Sequence, residues 1–400
     1  MGNKKILILC DEFEGGGAEK VAFDTYKMLA KDSTISVFSS YSSKNADFPL
    51  DDASKKNILS RLFDFQNLIL LYKGLIKLKP DVIHVHNFSS KLTFSVLVSI
   101  ILYRLKFNVL VVHTLHDHHL VCPNSSFYNV NENSRCTICV GRSKFNVIRN
   151  KCYNGRYLPS VIKFLRFKCQ SSLLKVCVSK FISPSKFVID NSIGDGIGKD
   201  KLNLVYNPID DIYFLDRPKL NKSNDVLFIG RIVSIKGIDV LLDAWSNQKF
   251  QDAVLHIVGS GDDSDYLIKK YAHISQRVVF HGRLSPKEIR QLSTRVSTLV
   301  LPSIVFENAP LVLYEAVQLG LYPVTSNIGG MKEAIELLDF GHCFEANDPS
   351  SLVSVLMSAR DTVNGHDYVE DLERAQDIVN KNCKSKYYVD ELLSLYGVKK

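Results

Sequence analysis

Residues 297–330 read STLVLPSIVFENAPLVLYEAVQLGLYPVTSNIGG: an apolar run, a polar loop, a helical pattern and a second apolar run. The runs Thr298–Leu301 and Tyr322–Thr325 do not alternate in polarity, which is typical of strands buried on both faces of a parallel sheet. Between them, Leu311–Leu319 has helical spacing and begins beside Pro310, a residue favoured in the first turn of a helix. The stretch therefore predicts strand, helix and strand, the repeating unit of an α/β fold.

The same alternation continues along the chain and predicts two doubly wound parallel sheets. Further helices are expected at Glu19–Ala30, Asp239–Trp245 and Tyr387–Leu395. The other predicted strands are Lys5–Cys10, Ser36–Ser39, Asp81–His86, Val109–Leu115, Val176–Val178 and Ile182–Pro184 in the first half, and Val226–Ile229, Val254–Val258 and Val278–Phe280 in the second.

The length of 400 residues favours two domains, since a domain typically holds about 100–200 residues. A polar, proline-marked stretch, NPIDDIYFLDRPKLNKSN, interrupts the alternation and predicts the linker. The predicted organisation is an N-terminal domain over residues 1–207 with a cysteine-rich insertion at about 118–156, a linker at 208–222, a C-terminal domain over 223–380 and a closing helix within 381–400.

Composition and charge indicate a folded protein with anionic partners. Apolar residues make up 46% of the chain, charged residues 23%, and the formal net charge is +8. Residues 133–189 contain twelve lysines and arginines and no aspartate or glutamate. Such a block favours lipid headgroups, a lipid-linked phosphate or nucleic acid as partners.

Targeting signals are not predicted. The apolar run after the first lysines has five residues, whereas a signal peptide needs about 7–15. The most apolar stretch elsewhere, Leu92–Leu102, is far shorter than the roughly 20 residues that cross a bilayer. We therefore expect a cytoplasmic protein whose nine cysteines are thiols or metal ligands rather than disulfides.

The loop before the helix at Leu311 predicts an anion-binding site, because ligands of open α/β sheets bind against helix N-termini at the carboxyl ends of strands. The Glu307 carboxylate can accept hydrogen bonds from sugar hydroxyls, and Glu315 from a vicinal diol such as a ribose. The alternative is a solvated Glu307 and a surface Glu315. The backbone expected to face the anion belongs to Asn308, Ala309, Pro310 and Leu311.

A second loop, in FIGRIVSIKG at residues 228–237, carries two cations between glycines. Arg231 and Lys236 can neutralise a diphosphate, the first as a planar fork and the second as a point charge. A departing nucleoside diphosphate gains negative charge, so cations held there stabilise the transition state. The alternative is a basic surface loop.

Four segments, GRIVSIKGIDVLLDA, LHIVGSG, VVFHGRLSPKEI and ENAPLVLYEAVQLGLYPVTSNIGGMKEAI, resemble in this order family 4 of the retaining glycosyltransferases. The resemblance is strong over residues 223–340. It implies the GT-B fold, in which two Rossmann-like domains face a cleft. It also implies retaining sugar transfer from a nucleotide-diphosphate sugar, and no metal for catalysis. No dedicated protein base is visible in the sequence, so we expect front-face displacement, in which a diphosphate oxygen helps to take the proton.

By this resemblance, Glu307 contacts donor-sugar hydroxyls, Glu315 the ribose, and Arg231 with Lys236 the diphosphate. The base is held by backbone groups near Arg283 and Leu284. In the N-terminal half, the resemblance assigns the glycine loop Gly16–Gly17 to a phosphate or sugar, and His116 to a hydrogen bond with the donor sugar. Glu19 and Asp117 are expected on the acceptor side.

The resemblance, the missing signal and the basic block favour a lipid-linked or other glycan acceptor in bacterial surface-polysaccharide assembly, such as capsule or O-antigen. Two alternatives stay open. A nucleotide-sugar 2-epimerase has the same fold, although it lacks this combination of motifs. A zinc-bearing nucleic-acid-binding protein would use the basic block and the cysteines but would leave Glu307 and Glu315 without a role; we expect no nucleic-acid partner.

Four cysteines in the insertion have the spacing Cys-x13-Cys-x2-Cys-x12-Cys. A Cys-x2-Cys pair with two flanking cysteines suits tetrahedral zinc, and a long loop with little apolar content needs such a clip. We expect a structural zinc site, and the alternative is four unligated thiols. Some family members carry a similar insertion at this place. The cysteines are Cys122, Cys136, Cys139 and Cys152.

Residues 157–175 predict an amphipathic helix flanked by Lys163 and Arg166, with Phe164 and Phe167 off its apolar stripe. A helix covering the domain would bury the stripe. A peripheral membrane helix would place aromatic and basic side chains at an anionic surface, here the inner face of the plasma membrane. Both interpretations stay open. The stripe consists of Leu158, Val161, Ile162, Leu165 and Cys169.

Overall fold

A computed structural model of the chain describes residues 4–56, 60, 62–89, 91–215 and 223–398. The chain divides into two compact units. The first comprises Met1–Tyr206 and Tyr388–Lys400, and the second comprises Asn207–Tyr387. Each unit contains a six-stranded parallel sheet, so the α/β class predicted from the alternation is confirmed.

The sheet of the first unit has the strand order β2-β1-β3-β4-β7-β8, and β5 and β6 form a separate antiparallel pair. The strands are β1 Lys4–Leu9, β2 Ile35–Ser40, β3 Val82–Val85, β4 Leu110–Thr114, β5 Tyr128–Asn129, β6 Ser134–Arg135, β7 Lys180–Ser183 and β8 Leu202–Leu204. The helices are α1 Gly17–Leu29, α2 Phe65–Leu78, α3 Ser95–Arg104, α4 Asn146–Arg149, α5 Tyr157–Cys177 and α6 Lys186–Gly194.

The sheet of the second unit has the order β11-β10-β9-β12-β13-β14. Its strands are β9 Val226–Ile229, β10 Leu255–Val258, β11 Val278–Gly282, β12 Thr298–Leu301, β13 Tyr322–Ser326 and β14 His342–Phe344. The helices are α7 Ile238–Trp245, α8 Ser264–Lys270, α9 Pro286–Ser293, α10 Leu311–Gln318, α11 Gly329–Leu338, α12 Pro349–Asn364 and α13 Tyr368–Cys383, followed by α14 Ser385–Leu395.

The last helix helps to complete the core of the first unit. Tyr388, Leu392 and Tyr396 are buried in one cluster with Ile6 and Ile8 of β1. The Tyr388 hydroxyl also lies 2.7 Å from that of Thr25 in α1. Burial of these large side chains explains why the closing segment returns to the first unit.

Both ends of the second unit differ in detail from the predicted boundaries. Asp211–Phe214, inside the predicted linker 208–222, form a 3-10 turn that Arg290 holds by donating to the Ile212 carbonyl at 3.0 Å. Residues 216–222 of the predicted linker lie outside the described residues. The closing segment 381–400 begins with the last turn of α13, and α14 follows after Lys384.

One predicted strand is wrong. Val176–Val178 belongs to the end of α5, because Leu174 and Cys177 continue a buried face at helical spacing up to the helix end. The prediction also omitted β8 and β14, which have three residues each and are too short to show a pattern of their own. No helix in the described part of the chain combines the length and the apolar character needed to cross a membrane.

Candidate active site

Two loops of the second unit meet at the carboxyl ends of β9 and β12. Gly237 follows β9 with a φ of 70°, in the left-handed region that favours glycine. A Cβ atom at this position would lie 1.9 Å from the Pro302 carbonyl oxygen. Glycine therefore allows the β9 loop, which carries Arg231 and Lys236, to approach the β12 loop.

Lys236 and Glu307 form the centre of this arrangement. The Lys236 Nζ donates to Glu307 Oε1 at 2.6 Å, and the Ser303 hydroxyl donates to the same oxygen at 2.5 Å. All three side chains line one cavity, together with Gly230 and Pro310. The structure thus brings together Lys236, which was predicted to bind the diphosphate, and Glu307, which was predicted to bind the donor sugar.

Burial and charge act in opposite directions on Glu307. Burial alone raises the pKa of its carboxyl group, but the charge and hydrogen bond of Lys236, the Ser303 hydroxyl and the charge of Arg231 outweigh this effect and lower the pKa below its ordinary value. The side chain is therefore a carboxylate at neutral pH, and it can accept further hydrogen bonds.

The backbone around Glu307 is held from α11. The Gly330 N–H donates to the Glu307 carbonyl at 2.9 Å. A Cβ atom on Gly330 would lie 1.5 Å from the Asn308 carbonyl oxygen. This close approach sets the course of the loop Glu307–Pro310, a role of Gly330 that the motif does not reveal.

The helix α10 begins directly after this loop, with Pro310 at its N-cap position and no acidic residue in its first turn. The N–H groups at a helix start and the helix dipole favour an anion. Ala309 and Leu311 flank the same start and are partly exposed. Glu315 lies further along α10 and acts electrostatically on Tyr213: burial first, and then the Glu315 charge, raise the pKa of that phenol.

The residues predicted near the base lie on a neighbouring loop of the second unit. Arg283 donates from Nε to the Ser260 hydroxyl at 2.8 Å. Leu284 lines a hollow with His281 and Glu288, separate from the cavity that Lys236 and Glu307 line. Arg283 and Leu284 directly follow β11, a position compatible with a contact between their backbone and a ligand of the second unit.

In the first unit, the glycine loop opens α1, with Gly16 at the N-cap position and Gly17 as the first helical residue. Glu19 does not extend freely from this loop. Its carboxylate accepts from the Gly16 N–H at 3.0 Å and from the Asn87 amide at 3.2 Å. The bond to the Gly16 N–H is the half of a capping box that the third helical residue supplies, and it explains why the carboxylate turns back toward its own helix.

His116 follows β4 and pairs with a buried histidine that follows β3. The Nε2 of His116 lies 2.9 Å from Nδ1 of His86, and the two ring planes are inclined by 23° with centroids 5.1 Å apart. Burial lowers the pKa of His116 to about 4, and it lowers the pKa of His86 well below its ordinary value. Both rings are therefore neutral near pH 7, so one of them donates to the other.

Asp117 is the outer end of a hydrogen-bonded chain that no sequence motif indicates. Its Oδ1 accepts from the His119 backbone at 2.7 Å and lies 2.5 Å from His119 Nδ1. The other nitrogen of His119 lies 2.8 Å from Nε2 of His113, whose Nδ1 donates to the Val85 carbonyl at 2.9 Å. Burial opposes ionisation of Asp117, but the charge and hydrogen bonds of His119 lower its pKa to about 2.

The cysteine array forms a third cluster, in the insertion of the first unit. Its four cysteines carry free thiols and line a single cavity. The predicted site residues therefore form a charged set in the second unit around Lys236 and Glu307, a set in the first unit around Gly16 and His116, and a cluster of four thiols in the insertion. The histidine pair at β3 and β4 was visible in the sequence only as histidine-rich strand ends.

Comparison with protein families decides the assignment. A model described as glycosyl transferases group 1 matches residues 212–361, and a model described as glycosyltransferase family 4 matches residues 15–212. The chain belongs to glycosyltransferase family 4. This family 4 protein is therefore a glycosyltransferase with a nucleotide-sugar donor, and the family predicted from the motifs is confirmed.

Individual relatives agree with the family. An Escherichia coli enzyme named UDP-Gal:alpha-D-GlcNAc-diphosphoundecaprenol alpha-1,3-galactosyltransferase is 25% identical over 415 residues, covering 95% of this chain and 93% of that enzyme. An uncharacterised glycosyltransferase of Methanocaldococcus jannaschii is 31% identical over 154 residues, which cover 34% of this chain and only 39% of the archaeal protein.

Solved structures share the fold at low identity. The Anabaena protein HepE, in complex with UDP-glucose, is similar with a TM-score of 0.67 at 16% identity, covering 99% of this chain and 100% of that one. The predicted GT-B fold is thus confirmed for this family 4 glycosyltransferase.

Proposed function

We propose that the chain transfers a hexose from a UDP-sugar to a lipid-linked glycan with retention of configuration, in bacterial surface-polysaccharide assembly. In this proposal the second unit binds the donor. Arg231 and Lys236 bind the diphosphate, Glu307 orients the sugar, Glu315 accepts from the ribose, and backbone groups near Arg283 and Leu284 hold the base.

The observation that carries the proposal is the contact between Lys236 and Glu307 beside the start of α10. A cation, a carboxylate and a helix N-terminus share one cavity wall. A diphosphate offers the negative charge that Lys236 and α10 favour, and the sugar attached to it offers hydroxyl donors to Glu307. A nucleotide-diphosphate sugar has both groups in one molecule.

The chemistry of Glu307 supports a front-face route. Its pKa is lowered and one of its oxygens already accepts two hydrogen bonds, so it is a weak base and is suited to orienting hydroxyls. In the proposed step, the acceptor hydroxyl attacks the anomeric carbon from the side on which the diphosphate leaves. A diphosphate oxygen takes the hydroxyl proton as the bond to the sugar breaks.

On the acceptor side, we propose roles for the first unit. His116 donates to or accepts from the donor sugar, the Gly16–Gly17 loop lies beside a phosphate or sugar, and Asp117 binds an acceptor hydroxyl. The E. coli relative, which aligns over 95% of this chain, is named for a diphosphoundecaprenol acceptor. A lipid diphosphate also suits the twelve basic residues between positions 133 and 189.

A transfer assay tests the proposal. The full chain is incubated with a panel of UDP-sugars and a synthetic prenyl-diphosphate N-acetylglucosamine, and UDP release and product anomer are measured. Glu307→Gln is expected to lower transfer at least about 10²-fold while UDP binding stays within a few-fold, because the carboxylate orients the sugar and not the nucleotide.

The matched control for this assay is Lys270→Ala. Lys270 pairs with Asp239 at 2.6 Å, the same length as the Lys236–Glu307 pair, but on the exposed surface. This variant is expected to retain full transfer. Equal loss of transfer and UDP binding in Glu307→Gln, or an inverted product anomer, would contradict the proposal.

We further propose that α5 rests on the anionic inner face of the plasma membrane. Its predicted stripe is not buried: Leu158 is 71% exposed, Leu165 56% and Ile162 39%. The face that packs against the first unit instead contains Phe167, Leu174 and small or polar residues. Exposed apolar side chains within a basic segment match an anionic lipid surface.

Binding to vesicles tests this contact. Leu165→Glu is expected to reduce sedimentation with phosphatidylglycerol vesicles several-fold, because it places a carboxylate against lipid and anionic headgroups. The control is Val369→Glu, which alters an apolar residue of similar exposure, 48%, on α13 of the second unit. The contact is excluded if both variants sediment like the unaltered chain.

A further inference from the structure

The four thiols of the insertion converge although they come from separate parts of the loop. Cys122, Cys136, Cys139 and Cys152 line one small cavity, closed on its apolar side by Val147 and other residues. Three of the thiols are buried, and only Cys136 is partly exposed.

The segment around this cavity has little regular structure to hold it. Between residues 118 and 156 the described elements are the two-residue strands β5 and β6 and the four-residue helix α4. A loop of this length without longer elements is uncommon unless a further constraint orders it.

The backbone of the segment is also held in costly conformations. Five of the eight non-glycine residues with positive φ in the described chain lie here. Left-handed conformations of side-chain-bearing residues persist only when the surroundings enforce them, because each costs free energy. The five residues are Ser125, Phe127, Asn133, Lys151 and Asn154.

We propose that Cys122, Cys136, Cys139 and Cys152 bind one structural zinc ion as a tetrahedral four-thiolate site. Thiolate sulfur is a preferred zinc ligand, and the Cys136-x2-Cys139 pair lets one turn supply two ligands. Binding exchanges the four thiol protons for the metal, and these protons pass to solvent. The site orders the loop that follows His116 and Asp117 and takes no part in the transfer step.

The thiols must move to form the site. As they stand, the described residues contain no group of three or more cysteine, histidine, aspartate or glutamate side chains arranged to hold a metal ion. Each cysteine has one side-chain torsion, so rotation about Cα–Cβ can redirect the sulfur atoms within the cavity that they already line. The proposal therefore includes closure of the four side chains around the ion.

Metal analysis of the full chain, purified without a metal-binding tag, tests the proposal. Inductively coupled plasma mass spectrometry is expected to find about one zinc ion per chain, and the Cys139→Ser variant is expected to lose most of this zinc. The matched control, Cys169→Ser, removes an exposed thiol outside the cavity and should retain the metal. Zinc retained by Cys139→Ser, or two disulfides in the native chain, would overturn the site.

A second measurement does not depend on a variant that folds. Replacing the native metal with Co²⁺ should give the near-ultraviolet sulfur-to-cobalt absorption and visible bands of a tetrahedral thiolate site. Chelation should then make residues 118–156 susceptible to protease while the second unit stays intact. The inference is wrong if the native chain contains no zinc and all four thiols react freely. It is also wrong if the native chain contains iron instead of zinc. Neither readout depends on the proposed donor or acceptor.

Discussion

At the scale of the residue, the two cations of the proposed donor site, Lys236 and Arg231, interact differently with Glu307. Lys236 donates to the Glu307 carboxylate at 2.6 Å, whereas Arg231 is exposed and acts on that carboxylate through its charge. The exposed guanidinium is therefore better placed than the Lys236 ammonium to meet a diphosphate from the solvent side. The motif predicted which residues form the site but could not show that one cation is already paired.

Arg231→Ala is expected to lower kcat by about 10²–10³-fold, because one preorganised donor to the leaving diphosphate is lost. Initial rates at saturating donor measure the effect, with Lys270→Ala as the surface-charge control. Turnover close to that of the unaltered chain would remove Arg231 from the proposed mechanism.

The aspartate after His116 shows a limit of reasoning from motifs. Asp117 was predicted from the His-Asp pair alone, yet its geometry depends on His119 and, through it, on His113. His113 lies in β4 and His119 two residues beyond Asp117, so their contact depends on the turn that follows the strand. No periodic pattern in the sequence encodes that turn.

At the scale of the element, α11 supports the active-site loop through its first residues. The Gly330 N–H holds the Glu307 carbonyl, and the space for a side chain is taken by the Asn308 carbonyl. The motif ending in Asn327–Gly330 could be recognised from the sequence. The last residue of this motif, Gly330, must be a glycine because its backbone contacts Glu307 and Asn308, which lie more than twenty positions earlier.

Gly330→Ala is therefore expected to destabilise the chain by at least about 2 kcal/mol, since backbone atoms must move to relieve the overlap. Urea unfolding measures the free energy. Gly17→Ala serves as the stability control, because a Cβ there meets nothing within 4 Å, and should change the free energy by less than about 0.5 kcal/mol. Similar values for both variants would contradict the close approach.

The helix α5 was predicted as an element, but its buried face was not. The most apolar stripe is exposed, and the face that contains Ser160, Gln170 and Ser171 packs inward. Hydrophobic periodicity reports that a helix has an apolar side, and it does not report what covers that side. Only the packing of the first unit shows that, among the residues that the structure describes, none buries this side.

At the scale of the whole molecule, buried histidines distinguish the first unit. Burial lowers the pKa of His84 to about 3 and that of His116 to about 4, and it lowers the pKa of His86 and His113 well below the ordinary value. Their folded pKa values lie below those of the unfolded chain, so unfolding takes up protons once the pH falls below about 6.5.

The stability of the first unit is accordingly expected to be complete above about pH 7 and to fall on acidification, by roughly 1.4 kcal/mol per pH unit for each histidine once the unfolded chain is protonated. Urea unfolding by circular dichroism at pH 7.5 and 5.5 measures the loss. Fluorescence of the single tryptophan, Trp245, follows the second unit separately.

The control for this pH series is His366→Gln, which removes an exposed histidine and should leave the pH dependence unchanged. Equal stability of the first unit at both pH values would mean that the four histidines are not held neutral. An increase in stability on acidification would contradict the sign of the argument.

The sequence by itself determined the α/β class, most strands and helices, the family and the residues that carry the proposed chemistry, because periodicity and motif spacing are local properties of the chain. Tertiary structure decided which groups touch: the Lys236–Glu307 pair, the support of Glu307 by Gly330, the His113–His119–Asp117 chain, and the outward face of α5. The two contacts of Glu307 join residues far apart in sequence, the histidine chain depends on the turn after β4, and the outward face of α5 depends on how the first unit packs. Burial, which opposes the charged form of every ionisable group, is likewise set by the packing.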